Sequence, residues 1–188
     1  MILPPPNHNE MPHGFIKKSL PQVGALLPLP WNWFYQARQV DGNFLFLLTA
    51  DSINTQGFFQ TGVSLNVFPQ ANQQFGASAV EIAEGMIDSK PLKLLEALSE
   101  AERQQDENFV AVRRHFGFPG YSVLPVPSLN GEFRSHAIPP THVYIETRAN
   151  PETDTLYVLR FEAPEKHWPD YKPTADIMIN HAQFNPDF

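Results

Sequence analysis

A chain of 188 residues with 42% hydrophobic content is long enough for one domain with a sizeable core and short for two. The balance of 13 Lys+Arg against 20 Asp+Glu, a formal charge of -7, argues against nucleic acid or an anionic membrane as partner, because both require clustered positive charge. With no cysteine, disulfides, thiolate metal ligation and a cysteine nucleophile are all excluded.

Residues 1–30 read as a proline-rich N-terminal arm, with Pro4, Pro5, Pro6, Pro12, Pro21, Pro28 and Pro30. Proline has no backbone donor, so this density predicts an extended segment rather than a helix or a central strand. Its strongly apolar part, Gly24-Ala25-Leu26-Leu27, is expected to dock on the core. The first residues lack the basic start and apolar run of a secretory signal, and no stretch reaches the roughly 20 apolar residues that span a bilayer. The expectation is therefore a cytoplasmic location without membrane insertion.

Residues 31–188 read as a single domain. An aromatic-rich run from Trp31 to Val40, then Asp41-Gly42, then Phe44 to Leu48 predicts a hairpin, since a two-residue primed turn needs positive φ at both central positions. The second strand is apolar on both faces, which predicts cover on both sides of the sheet. Asp51 to Gly62 is a polar loop holding Phe58 and Phe59, and Val63, Leu65 and Val67 mark a third strand ended by Pro69.

Ser78-Ala79-Val80-Glu81 has the form of a capping box that opens a helix with Ala79, Ile82, Ala83, Met86 and Ile87 as its apolar stripe. Pro91 interrupts it, and Leu92, Leu94, Leu95 and Leu98 predict a second short helical segment ending among Glu100, Glu102, Arg103 and Gln104. Strand periodicity returns from Phe109 to Phe116. A turn at Gly117–Tyr121, an extended segment to Val126 and a loop around Asn130-Gly131 follow.

The last quarter predicts a hairpin and a closing helix. Val143, Ile145, Thr147 and Ala149 alternate with polar residues, a break falls at 150–154, and Leu156 to Ala163 is the return strand. Pro164 and Pro169 suit a first helical turn, so the regular helix is expected near Lys172 or Pro173. Tyr171, Ala175, Met178 and Ala182 recur at helical spacing and should face the sheet, while Ile177 and Phe184 form either a second buried contact or an apolar ridge for a partner.

Together the hairpin opened by Trp31, the Thr61–Val67 strand, Phe118-Pro119-Gly120-Tyr121, the Thr155–Glu165 passage ending in Phe161-Glu162-Ala163-Pro164-Glu165, and the Tyr171-Lys172-Pro173 helix resemble the PsbP-like/Mog1-like superfamily over residues 31 to 185. The resemblance implies an α+β fold, an antiparallel β-sheet flanked by helices as an α/β/α sandwich. Superfamily members include photosystem II accessory proteins, Ran-binding proteins and bacterial proteins without assigned function. Binding rather than catalysis is what the resemblance implies. The photosynthetic members carry a luminal targeting leader that has no counterpart in this sequence.

Candidate chemistry is sparse. His136, His142 and Glu146 are the weak alternative for a metal site, without a recognised ligand spacing, and His8 and His13 lie in the arm. No Gly-x-Ser-x-Gly elbow, phosphate loop or dinucleotide fingerprint occurs, so no catalytic residue and no cofactor is assigned, and divalent metal is expected to be dispensable for folding. Arg113-Arg114-His115 puts charge on both faces of its strand, for an acidic partner or for pairing within the chain. Trp31, Trp33 and Tyr35 share a face, as core or as a ligand cage. The leading expectation is a non-enzymatic protein-binding or assembly module anchored by Phe58, Phe59, Arg113 and Arg114, with an unidentified protein partner and possible homo-oligomers. The rival classes are a metal-dependent or hydrolytic enzyme with a loop-assembled site and a small-ligand carrier.

Overall fold

The computed structural model describes residues 11–53, 59–88, 95–122, 126–127, 133–134 and 137–188. Two strands, β1 (Phe15–Leu20) and β2 (Ala25–Pro30), pair antiparallel around a tight turn. This corrects the expectation that the prolines bar a central strand: β2 lies between β1 and Gln183–Phe184, and Pro28 and Pro30 lie beyond the two residues of β2 that have neighbours on both sides. Gly24 closes the turn at φ +56, and a Cβ there would lie 2.9 Å from Asn185 Cβ, so both conformation and space demand glycine. Leu20, Leu27 and Leu29 are buried, which places this hairpin on the core as expected for Gly24–Leu27.

The main sheet begins with β3 (Phe34–Val40) and β4 (Asn43–Thr49). Asp41 and Gly42 between them have φ of 50° and 81°, the primed turn anticipated from the dipeptide. Strand β5 (Gly62–Phe68) follows, then α1 (Ala71–Phe75) and α2 (Ala79–Asp88). The capping box forms: Ser78 N–H donates to Glu81 Oε2 at 2.9 Å and Glu81 N–H to Ser78 Oγ at 3.3 Å.

Residues 95–105 correct the helical expectation. They form β6 (Glu96–Ala97) and β7 (Glu102–Gln105), both paired with β8 (Val110–Phe118). The free edge of β8 supplies backbone partners, such as His115 O for Leu98 N at 2.9 Å, and this outweighs leucine's helix preference. Leu92 and Leu94 lie outside the described residues. Strand β8 also runs through Gly117 to Phe118, where a turn was expected. Short pairs β9 (Tyr121–Ser122) with β12 (Ala137–Ile138) and β10 (Val126–Pro127) with β11 (Phe133–Arg134) lead to β13 (Thr141–Asn150) and β14 (Thr155–Pro164).

The closing helix α3 spans Trp168–Asn180 after a 3-10 turn at Glu165–His167. It starts a turn earlier than expected and carries Pro173 inside it; the buried Trp168 side chain anchors the first turn. Ala175, Met178 and Ala182 are buried as the spacing predicted, and Tyr171 is half-buried. Phe184 belongs to β15 (Gln183–Phe184), which pairs with β2 and packs on Tyr157.

The eight-stranded sheet runs β3-β4-β5-β14-β13-β8-β6, with β7 also on β8, and β1-β2-β15 form a smaller sheet. Its described ladders are antiparallel. One face, with Phe46, Leu65, Leu159 and Phe161, packs under α3 and the small sheet. The other, with Val112, Val143, Ile145 and Leu156, packs under Ala79, Ala83 and Ile87 of α2. This is the α/β/α layering.

Candidate functional site

Register brings the described ends of the connections at 50–61 and 119–140, together with Glu165–His167, to one end of the sheet. Gly62 pairs with Thr49 and Glu162, and Thr141 with Phe118 and Pro164. Connecting segments held by a rigid sheet are where binding residues concentrate. The first loop is pinned at its base, since the Asp51 carboxylate accepts the Gln60 and Thr61 N–H groups, each at 2.8 Å. Two open grooves lie here. One of about 330 Å³ is bounded by Asp51, Thr61, Pro164, His167, Asp170 and Tyr171. The other, about 280 Å³, lies among Leu98, Phe118, Pro140, His142 and Glu165.

His142, which lines the second groove, belongs to a histidine pair. His142 Nδ1 is 2.8 Å from His115 Nε2, and the buried Trp168 indole stacks on both rings, with centroids 4.8 Å from His115 and 5.1 Å from His142. Such a contact needs one ring as donor and the other as acceptor, which selects the neutral form of at least one. Burial first, then His142 and Lys172, hold the His115 pKa down to about 4. The adjacent Thr141 hydroxyl donates to Pro139 O at 2.9 Å, so it is committed to the backbone rather than to an imidazole.

Further along the same face a charged row seats α3. Glu146 is buried and paired at Oε1 with Arg148, whose guanidinium also donates to Ile179 O and Ala182 O, each at 3.3 Å. These are carbonyls at the helix's C-terminal end, where a cation is favoured. Arg113 pairs with Glu102 at 2.7 Å and reaches Asn180 Oδ1 at 3.4 Å. Burial pushes the Tyr144 phenol up to about 12, with Arg113 opposing.

The residues singled out from sequence are thus dispersed. Phe59 is half-buried at the loop end, and Phe58 and His136 lie outside the described residues. Arg113 and Arg114 point to opposite faces of β8; Arg114 Nε donates to Ser99 O at 2.9 Å. Strands β14 and β13 separate β5, which follows Phe59, from β8, so these anchors form no single patch. His142 and Glu146 are each engaged by another partner, and among the described residues no three His, Asp or Glu converge as a metal site. Trp33 and Tyr35 pack against the core, but Trp31 sits in a turn and is 74% exposed, so the three do not act as one face. The His115–His142–Trp168 stack was not anticipated. Its signal is present in strand alternation, yet only the β8–β13 register puts His115 near His142.

No family model matches the chain, and no curated protein matches it. Among solved structures, the solution structure of cyanobacterial PsbP (CyanoP) from Synechocystis sp. PCC 6803 is similar, with a TM-score of 0.51 over 92% of this chain and 93% of that chain, at 11% sequence identity. An antiparallel sheet covered on both faces, three α-helices among the described residues, and this likeness over nearly the whole of both chains show that the chain has a PsbP-like fold.

Proposed function

We propose that the protein is a non-enzymatic binding or accessory module that holds a protein partner at the loop end of its main sheet. The observation that carries this reading is the end-to-end structural likeness to cyanobacterial PsbP, which agrees with the resemblance to a superfamily that implies binding rather than catalysis. Fold alone does not fix function, so the site must support it. Here the groups best suited to chemistry, His115, His142 and Glu146, are tied to partners within the chain. The loop-end grooves are open and mixed in polarity, a form suited to macromolecular contact. Phe59 is the proposed anchor at that end, with Phe58 its neighbour in sequence, and Arg113 and Arg114 are secondary anchors on the two faces of β8.

Affinity capture from native lysate, with Phe59→Ala, Arg113→Ala and Arg114→Ala tested separately, checks the proposal. A specific protein retained by the parent and lost with Phe59→Ala, at unchanged melting temperature, supports it. Repeated absence of any specific protein, together with substrate turnover abolished by His142→Ala or Glu146→Gln, would replace it with the enzyme reading.

A further inference from the structure

The sheet edges of this fold are not equally protected. An edge strand presents unpaired backbone groups, and proteins blunt it with short strands, lysine, proline or charge. Strand β15 has two residues, β6 two, and β7 four, with Glu102 and Arg103 tied into ion pairs. Strand β1 carries Lys17 and Lys18. By contrast β3 is seven residues long, Phe-Tyr-Gln-Ala-Arg-Gln-Val, with neither lysine nor proline, and Phe34 and Val40 are 50% and 60% exposed. Among the described residues nothing pairs with its outer side.

The hairpin register says which backbone groups are open. Val40 and Asn43 close a two-residue turn and therefore exchange hydrogen bonds, as do alternate residues back along β3. Tyr35, Ala37 and Gln39 then direct their N–H and C=O groups outward. Ala37 is the midpoint of the strand. A two-fold axis at Ala37 would pair all seven residues: Ala37 with itself, Tyr35 with Gln39, Gln36 with Arg38, and Phe34 with Val40. The three outward residues fall at hydrogen-bonded positions of the new ladder. Each Arg38 meets Gln36, already its hydrogen-bond partner within one chain at 3.4 Å, while a shift of the axis to Arg38 would oppose two like charges. The strand is thus self-complementary in the way an isologous interface requires.

We infer that β3 is the pairing edge for β3 of a second copy, the two strands running antiparallel about Ala37 so that one sheet continues across a homodimer. This does not rest on the loop-end partner, since it is argued from the backbone register of β3 alone.

Sedimentation equilibrium of the full chain should give twice the monomer mass. Ala37→Pro removes an outward N–H without removing a β3–β4 bond, and should return the monomer mass while keeping the parent's circular dichroism. Because the chain has no cysteine, Ala37→Cys carries a single thiol, and a short bismaleimide should join two copies through it; Gln73→Cys on α1 should not be joined. A monomer at the highest soluble concentration would overturn the inference. So would a dimer that persists in a folded Ala37→Pro variant, or one linked no better through residue 37 than through residue 73.

Discussion

His142 Nδ1 faces His115 Nε2 across 2.8 Å, and both rings lie against the indole of Trp168. Protonating both imidazoles removes the acceptor and sets two cations side by side. The His115 pKa lies at about 4 in the fold against 6.5 for the free side chain, so the unfolded chain takes up the proton first as pH falls. Stability from this group is fully present above pH 6.5 and is lost as pH drops toward 4. Glu162 acts in the opposite sense, because burial raises its pKa, so the parent's melting curve alone does not isolate the histidine. Replacing His115 with Phe should flatten the pH 6.5-to-4 decline by about 1–2 kcal/mol, discounted for the solvent that reaches the ring. An identical slope in parent and variant melts would refute the assignment.

Asp154 ties the β13–β14 turn to two helices. Its carboxylate accepts Asn72 N–H at 2.7 Å and Ala79 N–H at 2.8 Å, and its carbonyl accepts Ala71 N–H at 2.9 Å. Asp154→Ala orphans donors at the starts of both α1 and α2 and should cost about 2 kcal/mol, roughly one per helix end. Asp154→Asn should cost less, since it keeps an acceptor oxygen and tolerates φ +52. Urea midpoints that rank Asn below Ala would contradict this.

Gly24 couples a left-handed turn to close packing against the chain's last residues. Gly24→Ala should destabilise by about 1–2 kcal/mol from backbone strain alone, before any displacement of Asn185 and Phe188. A melt equal to the parent's would show that the β1–β2 turn relaxes freely.

Met178 is 2% exposed beneath α3, among the apolar side chains of the sheet. Met178→Asp buries an unpaired carboxylate and should remove about 4 kcal/mol or more, enough to populate unfolded chain at room temperature in a marginal domain. Met178→Leu, which keeps volume and polarity, should fall within about 1.5 kcal/mol of the parent. Equal melts for the Asp and Leu variants would move the residue out of the core.

Features written in local chemistry were legible from sequence: the positive-φ turn at Asp41-Gly42, the Ser78–Glu81 capping box, and the alternation of β13 and β14. Features decided by distant partners were not. Leu95 and Leu98 have a helix former's composition, but the edge of β8 claims their backbone region. Pro173 looked like a helix start, yet Trp168 is held between the histidine pair and Phe161, and that burial carries the helix past the proline. The histidine stack joins two strands whose register is a tertiary fact. Arg113 and Arg114 are adjacent in sequence and on opposite faces in space, which no linear spacing of partner anchors reveals.

The small sheet has a consequence for the order in which the protein can form. Strand β2 is paired on one side with β1, its immediate predecessor, and on the other with Gln183 and Phe184. Asn185 N–H then donates to Gly24 O at 2.7 Å, Asn150 Nδ2 to Pro186 O at 2.6 Å, and Thr153 Oγ1 to Phe188 O at 2.5 Å. Because loop closure must be paid before such distant contacts give any return, the hairpin at Phe15–Pro30 emerges from the ribosome long before its third strand exists. Locking of this layer waits for the synthesis of Gln183 and Phe184, and the residues after Ala182 act as its latch.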